Sequence, residues 1–261
     1  MTAIPSSTVS LPSGAGMPLV GFGTWQLKGP EAREASTWAL QAGYRHLDTA
    51  TMYGNEREVG AALAGSGISR DEVFVTTKLP PSRAGQERDT LQQSLTELGV
   101  PSVDLWLVHA KPSGGGSSVA VWKQFVQAQA DGLATDIGVS NYSLSDLDEL
   151  REATGVLPAV NQIEWSPLLF DQAELDGHRD RGVVLEGYSA LRGGALDNAT
   201  IGDIAERLGR TPAQVIVRWH LQHGIVVIPK SRDQQRIATN ADVDGFELTA
   251  ADMTALDSLG R

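Results

Sequence analysis

Four residues in this chain carry side chains suited to moving a proton next to a carbonyl group: Asp48, Tyr53, Lys78 and His109. Asp48 and Tyr53 are five positions apart in GYRHLDTATMYGNE, residues 43–56. A free tyrosine has a pKa of about 10, too high for ready proton donation at neutral pH. An ammonium about 4 Å away, at an effective dielectric near 20, favours the phenolate by up to about 4 kcal/mol. That amounts to roughly three pKa units. Lys78 is the candidate ammonium, with Asp48 holding it charged and in place. Tyr53 is then expected to be a general acid near physiological pH. His109 can donate a hydrogen bond to an oxygen gaining negative charge. A phenol beside an imidazole suits a carbonyl oxygen becoming an alkoxide. The carbonyl carbon needs a hydride, which no side chain supplies, so a nicotinamide cofactor is implied.

Each of the four has a structural explanation when taken alone: Asp48 as a turn or cap, Tyr53 as a loop aromatic, Lys78 as a snorkelling lysine, His109 as a core histidine. Together they resist it. Lys78 follows VFVTT, and an unpaired charge in such a strand is costly. The elements that must position them are readable. Apolar, β-rich runs at 18–24, 44–49, 72–78, 103–109, 133–140, 158–165, 183–189 and 224–230 read as eight strands. Residues 8–17 before them read as a small hairpin. Helical stripes lie between the strands: 31–42 stopped by Gly43, 56–64, Leu91/Leu95/Leu98 stopped by Gly99, Val119/Trp122/Phe125/Val126, Leu144/Leu147/Leu150 and 171–181. Thr211-Pro212 opens a helix carrying Val215, Ile216 and Trp219, and Thr249 caps a last one over 249–259.

Eight strands alternating with helices over 261 residues match an α/β fold of the (β/α)8 TIM barrel type, with an N-terminal β-hairpin. The competing architecture is a doubly wound sheet, but GFGTWQ at 21–26 lacks the third glycine of a dinucleotide-binding fingerprint. No linker divides the chain, so residues 1–261 are expected to form one barrel domain. In such a barrel the C-terminal strand ends carry the chemistry. Asp48, Lys78 and His109 end the second, third and fourth strands, with Tyr53 in the loop after the second. Adjacent strands lie about 4.8 Å apart, so all four should meet at one mouth.

Composition narrows the partners. Net charge is −11, which disfavours nucleic acid and anionic membranes. There is no cysteine, hence no disulfide, zinc-thiolate site or thiol nucleophile. No apolar run reaches a membrane span, and the start MTAIPSSTVSLPSGAG has no secretory pattern. A cytoplasmic monomer acting on a small carbonyl compound is the expectation. Against the acidic background, Lys230, Arg232 and Arg236 gather three cations within seven residues, which suits a phosphate. His220 and His223, three apart on one helix, find no third ligand in the sequence, so no metal site is expected.

LDTATMYGNE (47–56), TTKL (76–79), LVHA (107–110), GVSN (138–141), NQIEW (161–165), GYSAL (187–191) and IPKSRDQQRIATN (228–240) resemble the aldo-keto reductase family, in its bacterial 2,5-diketo-gluconate reductase-like branch. With GFGTW at 21–25, the resemblance covers nearly the whole chain in the family's order. It implies a (β/α)8 barrel reducing aldehydes and ketones with NADPH, and a catalytic tetrad of Asp48, Tyr53, Lys78 and His109. It implies cofactor contacts from Ser140, Asn141 and Gln162 to the carboxamide, and from Tyr188 to the nicotinamide ring. Ser189 and Leu191 follow in the same loop. Lys230, Ser231, Arg232 and Arg236 match the grip on the 2′-phosphate, and Asn240 the contact to adenine.

The departures concern the substrate. Ala110 stands where many relatives have tryptophan, and the loop KPSGGGSS is short. The chain stops at Arg261, so the C-terminal loop covering the substrate in many relatives is not expected. A shallow pocket results, walled by Trp25 and Tyr53 with Trp165 beside them. Asp233 inside the basic cluster and Thr239 in place of a common glutamate bear on the NADP preference. Two readings compete: a cofactor-binding sensor of the same fold without turnover, and another barrel enzyme such as an isomerase or metal-dependent hydrolase.

Overall fold

The computed structural model describes residues 7–113 and 116–260. The first six residues, the glycines at 114 and 115 of the PSGGGSS loop and the terminal Arg261 lie outside that range. A hairpin of β1 (Thr8–Ser10) and β2 (Gly16–Pro18) opens the chain, antiparallel as the sequence implies. Eight parallel strands follow: β3 (Phe22–Gly23), β4 (His46–Asp48), β5 (Phe74–Leu79), β6 (Val103–Val108), β7 (Ala134–Ser140), β8 (Val160–Glu164), β9 (Val184–Tyr188) and β10 (Val226–Val227). Each pairs with the next in chain order. The sheet closes on itself beside β3. Gly21 N donates to Val227 O at 2.9 Å, Val227 N to Leu19 O at 2.8 Å, and Gly23 N to Pro229 O at 3.2 Å. The fold is a (β/α)8 barrel with an N-terminal hairpin.

Ten helices surround the strands among the described residues: α1 (Gly29–Ala42), α2 (Glu56–Gly65), α3 (Glu87–Leu98), α4 (Ser118–Ala130), α5 (Leu144–Thr154), α6 (Gln172–Arg181), α7 (Ala199–Leu208), α8 (Pro212–His223), α9 (Gln234–Ala241) and α10 (Ala250–Asp257). Local chemistry sets their ends. Thr211 and Gln214 form a capping box at the start of α8, as do Thr249 and Asp252 at α10. Gly43 stops α1 at a φ of 104°, a left-handed conformation that glycine adopts without a Cβ penalty.

Two cores result. The larger lies between helices and the outer strand faces, around Trp106, Trp122 and Trp219. The smaller fills the barrel interior below the mouth, where Leu11 and Met17 of the hairpin meet Leu105, Leu107, Val160 and Val226. Ser13 of the hairpin turn also bonds Asp136 of β7. The hairpin thus plugs the lower end of the barrel, and polar side chains gather at the other. Among the described residues no helix is long and apolar enough to cross a membrane.

The structure departs from the sequence reading in several places, among them α9 (Gln234–Ala241), which was not expected, and β10, which is only Val226–Val227 rather than 224–230. The first barrel strand, expected over 18–24, is only Phe22–Gly23, because Pro18 belongs to the hairpin and residues 19–21 serve the seam with β10. Helix α7 was not expected at all. Its Asn198 cap, its Ile201, Ile204 and Ala205 stripe and its Gly209 stop are all present, but Gly193, Gly194 and Gly202 around them read as loop.

Candidate active site

The site is built on strand register. Asp48 at the end of β4 lies opposite Thr76 of β5, and Lys78 is two residues beyond Thr76 on the same strand face. Lys78 is 0% exposed and Asp48 2%. All three ammonium protons are used: Lys78 Nζ donates to Asp48 Oδ1 at 2.6 Å, Asp48 Oδ2 at 2.7 Å and Thr49 O at 2.9 Å. Burial works against the charged amine. The Asp48 carboxylate, the Tyr53 phenol and, farther off, Glu186 outweigh it, so the Lys78 pKa ends above the ordinary lysine value. Lys78 is a cation throughout the neutral range.

Tyr53 is delivered by a 3-10 turn over Thr51–Tyr53, closed by Gly54 at a φ of 61°. The turn is pinned from both sides. Thr51 Oγ1 donates to Lys78 O at 3.0 Å, and Lys28 Nζ donates to the Tyr53 carbonyl. Asn55 Nδ2 donates to Thr24 O at 2.9 Å and Leu27 O at 3.0 Å, tying the loop after β3 to the loop after β4. The Tyr53 ring meets the His109 ring edge-on, 5.5 Å between centroids, and Lys78 Nζ sits 5.1 Å from the Tyr53 centroid. All four sequence-predicted residues therefore meet at one mouth.

The direction of the Tyr53 pKa overturns the sequence expectation. It lies above the ordinary tyrosine value, not near neutrality. Burial raises it most; the Lys78 charge pulls it down, and the Asp48 and Glu186 charges push it back up. Desolvation of the phenolate outweighs the pull of the ammonium. A raised value keeps the phenol protonated, which is the state a proton donor needs. His109 is pushed down to about 3 by burial and by Lys78, so its imidazole is neutral. Its Nδ1 is buried without a hydrogen-bond partner, and the tautomer protonated on Nε2 is the one that leaves no buried N–H unpaired there.

A trough of about 1070 Å³ crosses the mouth, lined by Asp48, Tyr53, His109 and Trp25. It is also lined by Ser140, Asn141, Gln162, Tyr188, Ser189, Leu191, Lys230, Ser231, Arg236 and Asn240, which joins the expected cofactor residues to the expected catalytic ones. Gln26, Asn141 and Ser189 are the non-glycine residues with positive φ among those described, at 66°, 62° and 57°, and all three line it. Such conformations are costly away from glycine and cluster at functional sites. The wall is pre-bonded. Tyr188 Oη donates to Asn141 Oδ1 at 2.9 Å, Asn141 Nδ2 to Ser140 Oγ at 3.0 Å, and Ser140 Oγ to Gln162 O at 2.8 Å. Lys230 feels Arg232 and Arg192 as like charges that, after burial, lower its pKa. An amide- and hydroxyl-rich wall next to Lys230 and Arg236 fits the carboxamide and phosphates of a nicotinamide dinucleotide.

Some expected residues sit elsewhere. Arg232 turns away to Glu31, 3.7 Å off, and Ala110 is not part of the trough lining. Trp165 is buried against Phe170 and supplies no wall. Gln162 Nε2 donates to Asp48 Oδ2 at 2.9 Å, so its amide is bound into the ion pair. Asp233, unexplained in the basic cluster, is the N-cap of α9, accepting from Arg236 N at 2.8 Å. His220 gives Nδ1 to Ile216 O at 2.8 Å, and His223 pairs with Asp257 at 2.8 Å. Sequence reasoning missed Arg192, which stacks 4.9 Å over Trp25 at the trough, and Lys28. It also missed Glu186 and His46 inside the barrel beneath the ion pair. Their signal was a charged and a polar residue inside two strands, VVLEGYS and YRHLDT.

Comparison with known proteins agrees with this geometry. The model described as "Aldo/keto reductase family" matches residues 19–261. An aldo-keto reductase of Mycolicibacterium smegmatis is 43% identical over 97% of this chain and 94% of its own. One from Mycolicibacterium vanbaalenii is 46% identical over 98% and 92%. Among solved structures, an aldo/keto reductase from Brucella melitensis superposes with a TM-score of 0.91 at 40% identity, covering 98% of this chain and 100% of that one. The aldose reductase of Schistosoma japonicum gives 0.90 at 29% identity, over 97% and 92%.

The buried ion pair carries a stability signature. Asp48→Asn and Lys78→Met each strand an uncompensated partner, and each is expected to cost about 3–5 kcal/mol in urea unfolding at neutral pH. The double variant should cost clearly less than the sum of the two. Additive losses would mean the two groups do not hold each other.

Proposed function

The chain belongs to the aldo/keto reductase family and is an oxidoreductase of carbonyl compounds using NAD(P)H; from that premise we propose that it reduces aldehydes and ketones to alcohols with NADPH, Tyr53 acting as the general acid. The observation that carries this reading is one continuous trough bounded both by Tyr53 and His109 and by Lys230 and Arg236.

When bound, the reduced nicotinamide supplies the hydride to the carbonyl carbon. This chain's residues handle the oxygen. As the C=O electron pair moves onto oxygen, His109 Nε2–H donates a hydrogen bond to it. Tyr53 transfers its phenolic proton to the same oxygen, completing the alcohol. The phenolate left behind is stabilised by the Lys78 charge, and the phenol is restored by a proton from water. Asp48 and Thr49 hold the ammonium still during this exchange. Ser140 and Asn141 would orient the carboxamide, Tyr188 would stack on the ring, and Lys230, Ser231 and Arg236 would take the 2′-phosphate with Asn240 at the adenine. Gln162 would reach the carboxamide only with the oxygen end of its amide, since its nitrogen serves Asp48. The net charge and the lack of cysteine are in keeping with a cytoplasmic enzyme built as a single domain.

A sensor without turnover would have no use for a buried ammonium beside a protonated phenol, and that juxtaposition favours catalysis. Absorbance loss from NADPH with a panel of aldehydes and ketones tests the reaction directly. Tyr53→Phe is expected to lower turnover by about a hundredfold or more with little change in NADPH affinity. A rate equal to wild type would remove Tyr53 from the proton-donor role. The Lys230→Ala/Arg236→Ala variant should weaken NADPH binding far more than NADH binding, measured by fluorescence titration. Equal weakening of both cofactors would remove the 2′-phosphate assignment.

A further inference from the structure

Glu186 is the strangest group in the barrel. It sits on β9 opposite Gln162 of β8, with its side chain fully buried. Neither carboxyl oxygen has a hydrogen-bond partner among the described residues. His46 Nε2 lies 3.9 Å from Glu186 Oε1. That contact is no ion pair. His46 is equally buried, is pushed down to about 3 by desolvation and by Lys78, and its Nε2 is hydrogen-bonded with Thr76 Oγ1 at 3.1 Å. A buried carboxylate with no donor and no cation of its own would be very costly. The proton is therefore kept.

The groups around it define what that proton controls. Asp48 and His46 face it from β4, Lys78 from β5, and Tyr53 from the turn after β4. From β8 comes only Gln162, whose amide bridges toward Asp48. The facing residue of β10 is Val226, and His220 lies outside the barrel behind Gly187. Asp136 of β7 is held lower down by Ser13. Glu186 thus acts on the Asp48, Lys78 and Tyr53 set, with a neutral His46 beside it.

Resting on the reductase reading above, we propose that Glu186 is a positioning residue: an uncharged carboxylic acid beneath the ion pair that spares Lys78 a second anion, leaving the ammonium free to ease proton release from Tyr53. Burial and the Asp48 charge push Glu186 up to about 8, with the Lys78 charge offsetting part of the rise. Above that pH its charge appears next to the ion pair. A new negative charge there raises the pKa of both Lys78 and Tyr53 and makes the phenol a poorer acid.

The test is Glu186→Gln, read by pH. Wild-type NADPH-dependent reduction should decline as pH passes about 8. In the variant this alkaline limb should move up by at least about one pH unit, the scale of one added charge at this range. A purely structural role would change the rate without moving the limb, and coincident limbs overturn the proposal while leaving the reductase reading intact. A wild type that turns over no carbonyl sinks both. Stability supplies a readout free of activity. The folded-state pKa is raised, so the wild type loses stability as pH rises from about 4.5 through about 8, because only the unfolded chain ionises there. The variant lacks this loss, so its Tm should gain on wild type between those limits; a constant gap overturns the proposal. Should the amide variant not fold, infrared titration of the wild type decides. A protonated-carboxyl stretch persisting at pH 7 and fading past about pH 8 supports the proposal, and its absence at pH 7 overturns it.

Discussion

A lysine ammonium with no solvent exposure, bonded to both oxygens of one carboxylate, is the constraint from which the mouth of this barrel is organised. Desolvating two ions costs several kcal/mol each, and a pair is tolerated only when geometry and further hydrogen bonds offset that cost. The barrel supplies both. Neighbouring parallel strands bring Asp48 and Lys78 together in register, Thr49 O takes the third ammonium proton, and Gln162 takes the outer lone pair of Asp48. Once that charge is fixed, its neighbours follow. His109 cannot be cationic beside it, His46 cannot either, and Tyr53 sits where the ammonium reaches it from one side and the trough from the other.

The Tyr53 pKa shows two opposing effects at work. Taken alone the ammonium would acidify the phenol, but the same burial that makes the ammonium effective also penalises the phenolate, and burial wins. The consequence for chemistry is favourable. A phenol that keeps its proton at rest releases it only to an oxygen more basic than itself, such as the alkoxide formed as a carbonyl is reduced. The ammonium then matters at the moment the phenolate forms. Backbone strain is confined to the same region. Asn141 and Ser189, both in left-handed conformations, place the amide and hydroxyl groups that face the trough.

Much of this was legible in the residues. Phe74–Leu79 and Val103–Val108 are mostly buried, β-rich runs, and Lys78 near the end of one and His109 just after the other mark the mouth. Thr211-Pro212 and Thr249 announced α8 and α10 through cap chemistry. What stayed hidden depends on facing partners. Helix α7 carries a good stripe and cap, but the surrounding glycines obscured it. Arg232 reads as one of three phosphate cations until the fold turns it toward Glu31. Asp233 reads as an electrostatic defect until it caps α9. Glu186 and His46 sit in strands, and alternation does not reveal which inward polar residue lies beneath which. The depth of burial that reverses the Tyr53 shift is likewise a property of the closed barrel.

The most direct measurement is a single-turnover experiment in which NADPH-loaded enzyme in excess reacts with an aldehyde, comparing wild type with Lys78→Met. If the fixed ammonium enables the proton step, the chemical rate falls by about tenfold or more, one pKa unit or more of lost phenolate stabilisation, while NADPH still binds. A Lys78→Met enzyme that consumes NADPH at the wild-type single-turnover rate would contradict the account at its root.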